Sequence, residues 1–164
     1  SGKTTLIKTI LNILEPSSGN IYWKGKLLKK SINDYYNNIT YISDNTTSIR
    51  ELSVHENIKI WKKIFLSNVS ELQINNILYT LGLNNYSKVK VSALSLGEIK
   101  KLELIRLIIE NKKYWILDEP LSNLDLETIN MVGQTFIDHS KNGGAIIFSS
   151  HQNIQVTTSE EIDL

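Results

Sequence analysis

The sequence contains no cysteine. Disulfides and thiolate metal sites are therefore excluded, and a reducing compartment suits the chain. No charge of one sign dominates: 18 Lys and Arg stand against 17 Asp and Glu. That balance gives no sign of a nucleic-acid-binding face or a polybasic membrane patch, so no nucleic-acid partner is expected. No apolar run reaches the ~18–20 residues that would cross a bilayer. Any membrane role has to run through a partner protein. There is no internal repeat, and the many Asn residues are scattered rather than in tracts. Only two prolines occur, Pro16 and Pro120. Each is expected to end an element. The 164 residues suffice for one domain with a substantial core.

What is present centres on Tyr114-Trp115-Ile116-Leu117-Asp118-Glu119-Pro120. Residues 113–117 are a short apolar run, which reads as a strand buried on both faces of a parallel sheet. Pro120 has no N–H for a ladder, so the strand ends before it. Asp118 and Glu119 then stand at the C-terminal edge of a buried strand, where open α/β sheets bind ligands. Alone, the pair would read as two solvated acids. The start of the chain changes that. Ser1-Gly2-Lys3-Thr4-Thr5 matches the end of a phosphate-binding loop leading into a helix. Backbone N–H groups of such a loop cradle phosphate oxygens. Its Lys reaches the terminal phosphates and its hydroxyl residue holds Mg²⁺. The chain opens without methionine and inside this motif, so an N-terminal portion with a strand and half the loop is expected to be missing.

Apolar spacing predicts a helix from Lys3 to about Leu14, stopped by Pro16. Short strands are expected at 20–23 and 39–43, and a loop at 44–51. Three capping boxes follow, Ser53 with Glu56, Ser70 with Gln73 and Ser95 with Glu98. Each opens a helix, the second with Leu72, Ile77, Leu78 and Leu81 inside and Gly82 as its stop. A further helix is expected over 126–139. A second buried strand at 145–149 leads to His151, and a last short strand falls at 162–164. Strand and helix units at both ends with three helices between them indicate an α/β core carrying a helical subdomain.

Leu94-Ser95-Leu96-Gly97-Glu98 resembles the L-S-G-G-Q signature of ABC-type ATPases. With Gly2-Lys3-Thr4, Asp118-Glu119, Ser122-Asn123-Leu124-Asp125 and His151, it completes that family's series in order and spacing. The resemblance implies a P-loop NTPase (RecA-like) core, residues 1–45 and 112–164, with an inserted helical subdomain at 46–111. It implies ATP and Mg²⁺ as ligands. Ser1, Gly2, Lys3, Thr4 and Thr5 would bind the phosphates, with Thr4 and Asp118 holding the metal. Glu119 would be the general base or the group that orients the attacking water, and His151 would contact the γ-phosphate. Ser95 and Gly97 would complete the nucleotide site of a second ABC subunit, most simply in a homodimer, and Asp125 would link the two sites. Asn45 aligns where the family has Gln, one methylene longer, and would contact Mg²⁺ or its water.

Within the family, Gly19-Asn20-Ile21-Tyr22-Trp23-Lys24-Gly25 and Ser149-Ser150-His151-Gln152 most resemble the ATP-binding subunits of the heme exporter used in cytochrome c maturation. That implies integral membrane partners and a peripheral position on the cytoplasmic face of the cell membrane, or on the matrix side in an organelle. Another exporter's ATPase is the alternative. A soluble ABC protein acting on ribosomes or DNA is a more distant one.

Overall fold

The structure, a computed structural model, describes residues 2–150 and residue 160. Its elements are α1 (Lys3–Ile10), β1 (Tyr22–Trp23), β2 (Lys26–Leu27), α2 (Ile32–Asn37) and β3 (Ile39–Ile42). They continue with α3 (Val54–Ile64), α4 (Glu71–Thr80), α5 (Leu96–Glu110), β4 (Tyr114–Leu117), α6 (Leu126–Lys141) and β5 (Ala145–Phe148). The expected strand at 162–164 lies outside the described residues.

A parallel sheet of order β3-β4-β5 organises the chain. Its register sets Ile42 beside Leu117 and Leu117 beside Phe148. All three strands therefore end level, and three loops leave the sheet at one edge. Side chains alternate between the faces, as the two-residue period of a strand requires. Ile42, Trp115 and Leu117 pack on one side with Leu104 and Leu107 of α5 and with Val132 and Phe136 of α6. Ile39 and Ile116 pack on the other side with Ile7, Leu11, Leu28 and Tyr35. A strand covered on both faces is why 114–117 reads as a continuous apolar run. β5 differs from the expectation: Ile147 is 47% exposed, so this strand is covered on one face only among the described residues.

The three capping boxes form as predicted. Ser53, Ser70 and Ser95 each accept the backbone N–H three residues on and receive the reciprocal side chain. Helices α3, α4 and α5 share a core of Val54, Ile58, Trp61, Ile74, Leu78, Leu102, Ile105 and Ile109. In α4, Ile74 occupies the inward position, whereas Leu72 is exposed. Because α5 also contributes Leu104 and Leu107 to the sheet's core, it belongs to both layers.

α1 is shorter than its apolar spacing suggests. Asn12 adopts φ 56°, and the N–H groups of Ile13 and Leu14 fold back on the Lys8 carbonyl. A left-handed Asn is a common helix stop, so Asn12 and not Pro16 ends the helix. Tyr35 and Tyr36 donate their hydroxyls to the carbonyls of Ile10 and Leu11, both over 2.7 Å. That anchors the C-terminus of α1 and aims its N-terminus at the sheet edge. The β1–β2 hairpin turns through Lys24 and Gly25, both at positive φ (49° and 76°), as a two-residue hairpin loop favours. Its Trp23 meets Tyr35 and Tyr114 edge to face.

Two predictions follow from this packing. Phe136 is 1% exposed and lies against Trp115 and Phe148. Phe136→Ala should cost about 3–5 kcal/mol in chemical denaturation; a loss below 1 kcal/mol would show that this layer is not tightly packed. His139 stacks on Trp115 with ring centroids 3.6 Å apart, and its Nε2–H donates to the Lys113 carbonyl. Burial pushes the imidazole below its ordinary value, against the opposing pull of that hydrogen bond. The unfolded chain therefore binds the proton first. Stability should fall as pH drops below about 6.5 and recover as pH rises back through that window. His139→Gln should remove this component, read as a flatter melting-temperature profile between pH 5 and 7.

Candidate functional site

The level strand ends bring three loops and one helix N-terminus together. Asp118, 3% exposed, follows β4 directly. Its Oδ1 accepts the Ser149 hydroxyl over 2.7 Å and the Thr4 hydroxyl over 3.3 Å. Lys3 donates from Nζ to the Ser150 carbonyl over 2.7 Å. The two ends of the chain's functional pattern, more than a hundred residues apart in sequence, thus meet at one point. Gly2 is the N-cap of α1 and offers no side-chain hydrogen bond, and the first turn carries no acid. The leading N–H groups of α1 remain available for an anion, with the helix dipole in support. Thr4 Oγ1 and Asp118 Oδ1 are hard oxygen donors of the kind Mg²⁺ takes, and that ion commonly completes its shell from water and phosphate. The residues present therefore fit the metal.

Glu119 sits at φ 48°, in the left-handed region where a residue with a Cβ is strained. Backbone hydrogen bonds hold it there. Its N–H donates to Ser149 Oγ over 2.9 Å, and its carbonyl accepts the Ser122 hydroxyl over 3.0 Å. Strain of this kind persists only where the surroundings fix the conformation. Asn123, at φ 62°, makes a second left-handed step. The turn then delivers Asp125 as the N-cap of α6, accepting the Thr128 N–H over 2.8 Å. The Thr128 N–H and hydroxyl, with Lys101 beyond them, hold the Asp125 carboxyl far below the usual range.

The signature residues form a second group. Ser95 caps α5, giving its hydroxyl to Glu98 Oε2 over 2.7 Å. Lys101, one turn on from Gly97, pairs with Asp125 at 3.1 Å. A shallow pocket of about 490 Å³ opens between Ser95, Gly97, Asn123 and Asp125. Gly97 is required by its neighbour and not by its dihedrals. A Cβ there would lie 2.6 Å from the Asn123 carbonyl oxygen. The turn 119–125 thus joins the two groups, with Glu119 in the first and Asp125 in the second.

Ser149 is the residue that the sequence reading missed. It was available in principle: with Leu117 and Phe148 paired, the next residue of each strand must lie side by side. Lys101 was missed too, and for Asn123, read only as part of the run 122–125, the close approach to Gly97 was unforeseen. Asn45 is exposed, and the structure does not bring it into hydrogen bonding with Thr4 or Asp118; its carbonyl accepts the Ser43 hydroxyl. Thr5 is exposed on α1 and accepts the Thr9 hydroxyl at its carbonyl. Ser1 and His151 lie outside the described residues. The close approach at Gly97 yields a prediction: Gly97→Ala should cost about 1–3 kcal/mol by forcing the 119–125 turn away from α5. Equilibrium denaturation measures it, and an unchanged midpoint would mean that the turn yields freely.

Comparison with known proteins agrees with this geometry. The family model described as ABC transporter matches residues 1–122. The cytochrome c biogenesis ATP-binding export protein CcmA of Aliivibrio fischeri is 31% identical over 98% of this chain and 78% of its own length. That of Reclinomonas americana is 35% identical over 95% of this chain and 70% of its own. Among solved structures, an ATP-binding protein of Pyrococcus furiosus assigned to an ABC transporter superposes with TM-score 0.78 at 26% identity, covering 97% of this chain and 78% of that one. The ATP-binding subunit of another ABC transporter, at TM-score 0.74 and 21% identity, shares the fold over 92% of this chain and 64% of that one. The expected α/β nucleotide-binding fold is therefore the observed one, and the chain belongs to the ABC transporter family as an ATP-binding, ATP-hydrolysing subunit.

Proposed function

We propose that this chain drives the heme exporter complex of cytochrome c biogenesis by hydrolysing ATP. The observation that carries the reading is the run of relatives named for cytochrome c biogenesis, at 31–35% identity over nearly the whole chain in the examples above. In this reading residues 1–45 and 112–164 form the nucleotide-binding core, and 46–111 form the helical subdomain. No helix among the described residues is long and apolar enough to cross a membrane. The chain would then sit peripherally on integral membrane subunits, at the cytoplasmic face of the cell membrane or on the matrix side.

The proposed chemistry uses the groups at the sheet edge. Lys3 and the leading N–H groups of α1 bind the β- and γ-phosphates, with Ser1, Gly2 and Thr5 lining the same loop. Thr4 and Asp118, with Asn45 as a further candidate, would hold Mg²⁺, which would supply charge neutralisation on the phosphates. Glu119 accepts or orients a proton of the attacking water, held in its strained pose by Ser149 and Ser122. His151 contacts the γ-phosphate. Ser95 and Gly97 meet the γ-phosphate on a second copy, so two chains enclose two nucleotides, and Asp125 lies between the sites.

Two measurements test this. In the full-length protein with its membrane subunits, Glu119→Gln should lower ATP turnover about 10²–10⁴-fold and accumulate an ATP-bound dimer. Turnover within twofold of wild type would remove Glu119 from the chemistry. Affinity purification from detergent-solubilised membranes should recover heme-handling membrane subunits. Recovery of a different permease would reassign the cargo and leave the ATPase intact.

A further inference from the structure

The loop between β3 and α3 runs Ser43-Asp44-Asn45-Thr46-Thr47-Ser48. Polar loops of this kind ordinarily give their hydrogen bonds to water. Here three consecutive residues give theirs to one buried carboxylate. Glu103, on α5, is 2% exposed. It accepts the Thr46 hydroxyl (2.6 Å), the Thr47 N–H and hydroxyl (both 2.8 Å), and the Ser48 N–H (2.8 Å) and hydroxyl (2.6 Å). Arg106 closes the arrangement. Its Nη1 lies 3.4 Å from Glu103 Oε2 and donates to the Thr47 hydroxyl over 2.9 Å. Lys100 reaches Asp44 at 3.4 Å. Helix α5 therefore grips residues 44, 46, 47 and 48, and leaves the exposed Asn45 between them.

Burial pushes the Glu103 carboxyl up, but the hydrogen bonds from Ser48, Thr46 and Thr47, with Arg106 beside them, outweigh it and leave the group below its ordinary value. Removing this carboxylate alone would strand Arg106 and the loop's donors without their acceptor, so the group is part of what holds the loop. What the carboxylate supplies is a fixed geometry between the loop and the helix.

We propose that Glu103 is a positioning residue for ATP hydrolysis. It fastens the loop carrying Asn45 to the helix that opens with Ser95 and Gly97. The loop at one nucleotide site and the signature surface that serves the other then move as one body. A displacement of the loop when nucleotide binds reaches Ser95 without being absorbed by slack. The proposal rests on the hydrolysis reading above and adds a residue to it.

The test uses the full-length complex with its membrane subunits. Glu103→Gln keeps the side-chain volume but turns one acceptor oxygen into a donor facing donors. Turnover should fall about tenfold while KM for ATP stays within about twofold, the split expected when ground-state binding is intact. Thr46→Val and Ser48→Ala remove the bonds from the loop side and should give the same split, even if the buried variant folds poorly. Glu103→Gln combined with Asn45→Ala should lose less than the product of the single losses, because both act through one loop. A lower melting temperature with kcat and KM unchanged would overturn the proposal, as would a fully multiplicative double variant. Wild-type turnover that Glu119→Gln fails to abolish would overturn the hydrolysis reading and this inference with it. Turnover abolished by Glu119→Gln but indifferent to Glu103→Gln would overturn this inference alone.

Discussion

Everything at the site depends on three parallel strands ending level. Because Ile42, Leu117 and Phe148 stand side by side, the residues that follow them cannot avoid one another. Asp118 meets Ser149 through a 2.7 Å hydrogen bond, and the same hydroxyl oxygen accepts the Glu119 N–H. One serine therefore fixes both carboxylate residues, the first through its side chain and the second through its backbone. A one-residue slip would exchange the two faces of a strand, and β3 and β4 pack different side chains into the core on each face. Core packing thus sets the register, and the register sets the site.

How far this was legible in the sequence follows from which forces are local. The capping boxes at Ser53, Ser70 and Ser95 are formed within four residues, so they could be read directly and are present. The strand 114–117 was readable because burial on both faces leaves an unbroken apolar run. Local spacing failed where backbone conformation decided instead. Asn12 ends α1 by turning left-handed, and nothing in the apolar spacing of Leu6 to Leu14 reveals that choice. The exposure of Ile147 was equally hidden, since the apolar run of β5 continues although one of its faces is uncovered among the described residues. At the site, Lys3, Thr4 and Asp118 were named from motif chemistry; Thr4 meets Asp118, and Lys3 reaches the Ser150 carbonyl. Ser149 and Lys101 depend on tertiary contact, and Glu103 looks in sequence like one more charge on a helix.

The turn 119–125 shows how strain and capping can divide a short segment between two tasks. Two left-handed residues, Glu119 and Asn123, compress the path between β4 and α6. The first turns the chain sharply as it leaves β4. The second brings its carbonyl so close to Gly97 that no side chain fits there. Asp125 then ends the turn by capping α6 and pairing with Lys101 of α5. Both ends of the segment are thereby held by elements that reach the core, and one short turn connects Glu119 to the signature.

The charge around the signature bears on the order of events in the proposed dimer. Ser95 has already given its hydroxyl hydrogen to Glu98, whose carboxylate sits in the first turn of α5. A negative group there occupies the positive end of the helix dipole that an incoming phosphate would otherwise use. Asp125 adds a second negative charge nearby, and Lys101 is committed to it. This face therefore attracts a polyphosphate weakly from a distance. The N-terminus of α1 has no acid in its first turn and carries Lys3, and the carboxylate beside it, Asp118, is the one proposed to hold the metal. On the proposed roles, nucleotide loads first against Lys3 and Thr4 of one chain. The second chain's Ser95 and Gly97 engage afterwards, by close backbone contact at short range.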